Sequence, residues 1–117
     1  MAVEWEQVVI QAMKPGDLAR WWLKALGWVL TFDSDDEIEI RSHPDFVPGI
    51  VFLQATSPKV AQNRLHLDFR PDDQSVEVER LLKLGARRID VGQGKASWVV
   101  MADPEGNEFC VLSTRRE

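Results

Sequence analysis

The chain has 117 residues, a size at which one domain can bury a core without disulfide or metal staples. Its 44% hydrophobic and 28% charged content is ordinary for a soluble globular protein, and a net charge of −5 argues against a nucleic-acid partner, which would favour a basic face. One cysteine, Cys110, excludes an internal disulfide, and the apolar runs are too short and interrupted for a membrane span.

Taken in order, the first residues carry neither the basic start nor the apolar segment of a signal peptide, so a cytoplasmic location is expected. Residues 7–12 read as a first strand. Pro15, Gly16 and Asp17 mark a turn and helix start, with Asp17 able to accept from first-turn N–H groups. Leu18, Trp21, Trp22, Ala25 and Leu26 then follow at helical spacing, and Gly27 is the stop. Residues 28–32 predict a second strand, the acidic run 33–36 a hairpin tip and 37–41 a third strand with one wet face. A Pro-containing loop with His43 leads to a fourth strand over 50–54, and 56–62 read as a linker.

The pattern then restarts. In residues 63–70, Leu65, Leu67 and Phe69 alternate with Arg64, His66, Asp68 and Arg70, giving a strand with one oily and one ionisable face. Pro71 to Asp73 form a turn and cap before a helix over 76–84, stopped by Gly85. Strands follow at 87–91, 97–101 and 108–112, the last two joined by a tight turn at Asp103-Pro104-Glu105-Gly106. The polar tail, 113–117, is expected to fray. The helix-ending Gly27 and Gly85 lie 58 residues apart, and Gln7 aligns with His66 at an offset of 59. Two copies of one module, about 3–56 and about 63–113, are expected to build a single pseudo-two-fold domain over 1–117.

Several residues carry this pattern: Asn63 to Asp68 followed by Arg70 to Asp73, then Leu84-Gly85-Ala86, and the run from Trp98 to Leu112 with its Asp-Pro-Glu-Gly-Asn-Glu-Phe turn. Together with Asp17 to Trp22 and Leu26-Gly27-Trp28, they resemble the vicinal oxygen chelate superfamily, in its glyoxalase, bleomycin-resistance and dioxygenase group. The resemblance implies an α+β fold of two βαβββ modules whose mixed sheets curl around an open cup. In metal-bearing members each opening strand and each closing strand supplies one ligand to a divalent ion.

Carried over by position, the opening strands offer Gln7 and His66. The closing strands offer Gln54, or Leu53 if the register slips by one, and Cys110. Two amides, a thiol and one imidazole lack the carboxylates an oxygen-loving ion would want, so no complete metal centre is expected; if a divalent metal binds, Gln7, Gln54 and His66 are its ligands. His66 reads as a ligand contact, general base or metal ligand, against the plainer reading of a structurally bonded histidine. Same-side neighbours on a strand are about 7 Å apart, which puts Asp68 too far from His66 for an assured hydrogen bond. Cys110 reads more readily as a buried filler than as a nucleophile.

Five tryptophans beside no tyrosine suggest rings that line a cavity or an interface. The expected ligand-contacting set is Gln7, Trp28, Phe52, Gln54, His66, Asp68, Trp98 and Cys110. The expected function is small-molecule binding in a tryptophan-lined cup. The alternative is a metal-dependent lyase or isomerase acting on the methylglyoxal–glutathione hemithioacetal, or a dioxygenase acting on catechols. A homodimer is expected by analogy, with no nucleic-acid or membrane partner.

Overall fold

The computed structural model describes residues 3–115; Arg116 and Glu117 of the expected tail lie outside the described residues. The chain divides after Pro58 into two compact units. Module one contains β1 (Gln7–Ala12), α1 (Pro15–Leu26), β2 (Val29–Asp33), β3 (Glu37–Arg41) and β4 (Gly49–Gln54). Module two contains β5 (Leu67–Phe69), α2 (Gln74–Leu84), β6 (Arg87–Arg88), β7 (Val99–Ala102) and β8 (Glu108–Val111). The sheets run in the orders β1-β4-β3-β2 and β5-β8-β7-β6, so each module places its opening strand beside its closing strand. Both of those pairs are parallel and the remaining pairs antiparallel. This is the α+β, paired βαβββ architecture expected from the sequence.

The helices form where apolar residues recur every three or four positions. In α1, Leu18, Ala19, Trp22 and Ala25 are buried, and Trp21 meets Trp22 edge to face at 5.0 Å. Lys14 is the N-cap of α1 and no side chain caps it, so Asp17 acts only as a negative charge in the first turn. In α2 the cap expected at Asp73 is present, with its carboxylate accepting from the Val76 N–H at 3.2 Å. Gly27 (φ 66°) and Gly85 (φ 110°) end the two helices in the left-handed region, where a side chain would be strained.

Register decides what each sheet face carries. Phe52 pairs with Ile10 and Ile38, and Ile50 with Val8 and Ile40. Ile38, Ile40, Ile50 and Phe52 are at most 4% exposed and form the floor on which α1 packs. The opposite face of that sheet carries Gln7, Val9, Val51 and Leu53, together with the Thr31–Glu39–Arg41 group. There, burial would raise the Glu39 pKa, but hydrogen bonds from Thr31 and Arg41 and the Arg41 charge hold it below the usual carboxylate range. The outer strand β2 has a register shift between Leu30 and Phe32.

Module two repeats this division. Leu67 and Phe109, Phe69 and Val111, and Met101 and Phe109 are register partners on the face beneath α2, with Phe69 and Phe109 edge to face at 6.0 Å. Asp103 is fully buried in the β7–β8 turn. Its carboxylate accepts from the Glu105 N–H at 2.9 Å, the Asn107 N–H at 3.0 Å and the Asn107 side-chain amide at 3.0 and 3.1 Å. Gly106 supplies the positive φ of 87° that lets the turn close. Replacing Asp103 with Ala removes the acceptor of those donors in a partly buried turn and should cost about 1–3 kcal/mol, read as a lower urea midpoint with an unchanged slope.

Candidate functional site

The face of the module-two sheet away from α2 is where ionisable groups gather. Asp68 is the register partner of Cys110, which is also opposite Val100. The strand pleat therefore turns Asp68, Cys110, Glu108 and Val100 to one side and Leu67, Phe69, Phe109 and Val111 to the other. A cavity of about 360 Å³ opens on the ionisable side, lined by His66, Asp68, Cys110 and Glu108, by the amides of Gln62, Asn63 and Gln93, and by Val91, Trp98, Val100 and Leu112. That volume lies within the range of small-molecule sites, and its mix of apolar wall and a few polar groups is typical of them.

The strand itself is shorter than expected. Residue pairing starts at Leu67, and Leu65 is 88% exposed, so the oily stripe does not extend back to it. Freed from the ladder, His66 leans toward Asp68, and its Nε2 lies 3.1 Å from Oδ1 rather than at the spacing of an ideal strand. The pair sits at ion-pair distance, and where Nε2 carries the proton a neutral imidazole keeps Nδ1 as a hydrogen-bond acceptor for a cavity occupant.

Cys110 behaves differently. Burial, then the charge of Asp68 and the hydrogen bond to its carboxylate, push the thiol pKa up to about 11. At neutral pH only about one molecule in ten thousand would carry the thiolate, so the environment opposes nucleophilic chemistry at this sulfur. Asp68 therefore links the other two groups, meeting the imidazole on one side and, together with burial, keeping the thiol protonated on the other.

Of the residues expected to contact a ligand, His66, Asp68, Trp98 and Cys110 share this cavity. In module one, Gln7 is exposed on the face opposite α1 and Trp28 is half-buried between α1 and β2. Phe52 differs from expectation: it has no exposure and lies on the helix-covered face. Gln54 shares that side, and its amide nitrogen donates to the Met13 and Ala55 carbonyls at 2.9 and 3.1 Å. Leu53 is the residue on the same face as Gln7. Because β4 is apolar on both faces, its sequence does not reveal the phase of its pleat.

Glu108, Gln62 and Asn63 were not anticipated as lining residues. Glu108 could have been found, being two residues before Cys110 on one strand. Burial would raise its pKa, but the Asn63 N–H at 3.0 Å and the Lys59 ammonium at 2.9 Å hold it below the usual carboxylate range.

The ligating atoms of His66, Asp68 and Cys110 all lie within 4.8 Å of one another. Tetrahedral zinc sites have ligand–ligand edges of roughly 3.4 Å, so the set is slightly wider than a closed site. One nitrogen, one oxygen and one sulfur donor suit a borderline-soft ion such as zinc, which would polarise an oxygen of a bound molecule, and suit magnesium poorly.

A family model described as glyoxalase-like domain matches residues 7–112. The chain belongs to the glyoxalase-like domain family. No curated protein matches its sequence. Among solved structures similar to this glyoxalase-like chain is a glyoxalase/bleomycin resistance protein/dioxygenase family enzyme from Burkholderia phytofirmans PsJN. It has 16% identity and a TM-score of 0.73, with 93% of this chain and 97% of that one covered. The fosfomycin resistance protein FosX from Mesorhizobium loti gives 13% and 0.71, with 98% and 94% covered. The bleomycin-binding protein from Streptomyces verticillus, in its copper(II)-bleomycin complex, gives 17% and 0.65, with 98% and 99% covered. At these identities the likeness establishes the fold. Among the described residues, no helix is long and apolar enough to cross a membrane.

The thiol supplies a direct check on this electrostatic picture. Its folded-state pKa lies above the unfolded value, so it contributes stability that is present below the ordinary thiol pKa and lost as pH rises toward about 11. Thiolate ultraviolet absorbance should titrate near that value, and Asp68→Asn should move the midpoint down toward that of an ordinary cysteine.

Proposed function

We propose that this glyoxalase-like protein binds a small aromatic or heteroaromatic molecule in the module-two cavity, without the four-ligand metal centre of metal-bearing relatives. The observation that carries the reading is one cavity combining the half-exposed Trp98 ring, an apolar wall of Val91, Val100 and Leu112, and the His66–Asp68 pair. The indole offers a face for stacking, and Nδ1 of His66 accepts from an O–H or N–H on the ligand rim. Two of the solved relatives are described as a bleomycin-binding protein and a fosfomycin resistance protein, which favours small-molecule recognition in general over any one compound.

Fluorescence titration against a panel of phenols, indoles and pyridines tests the reading. Trp98→Ala should weaken the best compound by roughly tenfold or more while leaving the melting temperature nearly unchanged. Equal affinity in Trp98→Ala and His66→Ala would place the compound elsewhere.

A second reading, a metal-dependent lyase, isomerase or dioxygenase, is favoured by the His66–Asp68–Cys110 donor group. Calorimetric titration with zinc, nickel and iron(II) should then give stoichiometric binding that His66→Ala abolishes. Metal-requiring turnover of the methylglyoxal–glutathione hemithioacetal or a catechol would identify the reaction type, and inactivity with every ion would exclude these two.

A further inference from the structure

Residues 59–65 cross from the end of module one to the start of β5 without regular structure, and Gln62 and Asn63 among them form part of the cavity wall. Apolar packing does not hold this segment in place: Val60 is 94% exposed and Leu65 88% exposed. Its ties to β8 converge on one carboxylate instead. Oε1 of Glu108 accepts from the Asn63 N–H at 3.0 Å, and Oε2 accepts from the Lys59 ammonium at 2.9 Å, while Lys59 also donates to the Ala61 carbonyl. Glu108 faces the same cavity as Asp68 and Cys110. One side chain thus pins the segment at its first residue and again four residues on, beside the groups a ligand would meet.

We propose that residues 59–65 are a latched strap beside the module-two cavity, that Glu108 is the latch, and that its release from Lys59 and Asn63 opens the buried Cys110 thiol to molecules that already reach the half-exposed His66 and Asp68. The inference rests on the cavity being a ligand site, but the strap can be tested without any ligand. Two polar ties and no apolar anchor make this a segment of low local stability, which opens without unfolding the sheet beneath it. Glu108 and Lys59 are positioning residues here, acting through the strap they hold.

Cys110 is the only cysteine, is nearly buried and lines the cavity, so its reaction with Ellman's reagent reports strap opening in the intact protein. The informative variant is Lys59→Met, which leaves every lining side chain in place. Electrostatics and access then predict different outcomes. Lys59 is not among the groups that set the thiol pKa, so loss of its charge alone would leave the rate near that of the parent; release of the strap would speed it. We expect an acceleration of roughly twofold to fivefold, the size of effect that losing one partly exposed ion pair allows. Lys59→Arg should keep the rate near that of the parent protein. Hydrogen exchange should rise at the Asn63 amide of Lys59→Met, whose hydrogen bond to Glu108 the latch holds, while amides of α2, β7 and β8 stay as protected as before. A rate that is unchanged or slower in Lys59→Met, or exchange that rises throughout module two, would overturn the latch. Because the reagent reports access and not affinity, failure of every aromatic compound to bind would leave this result standing.

Discussion

The parallel pairing of opening strand with closing strand is the constraint from which the site follows. Parallel neighbours cannot be joined by a tight turn, so the chain must pass through a helix and two further strands before it returns. In module two that excursion brings Cys110 back opposite Asp68, forty-two positions later in the sequence. The helix made on the way covers one face, and the pleat then sends the ionisable residues to the other. The cavity is thus a by-product of how a βαβββ unit closes.

Within that cavity, burial and the position of one negative charge together set the chemistry. Asp68 stands between an imidazole and a thiol, and what it does for each is opposite. It lies at ion-pair distance from His66 and helps leave Cys110 a neutral, small, weakly polar wall. A cysteine beside an imidazolium would be activated; here the carboxylate beside it favours the protonated form. The same geometry gives the module three donor atoms of different softness in one place, and for that reason both a metal-free and a metal-bearing reading start from the same residues.

Much of this was legible in the sequence, for reasons that can be named. Strands 7–12 and 37–41 came out with their observed ends because polar and apolar residues alternate there, or a turn residue closes them. Gly27 and Gly85 marked the helix ends because only glycine enters the left-handed region without strain. The side of Phe52 was not legible, since a strand buried on both faces has no alternation to read. The contact between His66 and Asp68 was hidden for another reason. Strand spacing assumes both residues are in the ladder, and the ladder starts one residue after His66. The expected strand over 87–91 shrank to Arg87–Arg88, because the glycines at 92 and 94 divert the chain into a loop that lends Val91 and Gln93 to the cavity.

The register shift in the outer strand of module one has a consequence for how these molecules behave when crowded. That strand ends its sheet, with no further strand of the sheet paired along its outer side among the described residues, and carries Leu30 and Phe32, which are about half exposed. A flat edge of this kind is a template on which a stray chain can stack and start a fibre. The extra residue, Thr31, whose hydroxyl is held by the Glu39 carboxylate at 2.8 Å, breaks the regular rhythm midway along and coils the edge. It shortens the straight run on either side along which an added strand could pair, the way bulges blunt sheet edges in general.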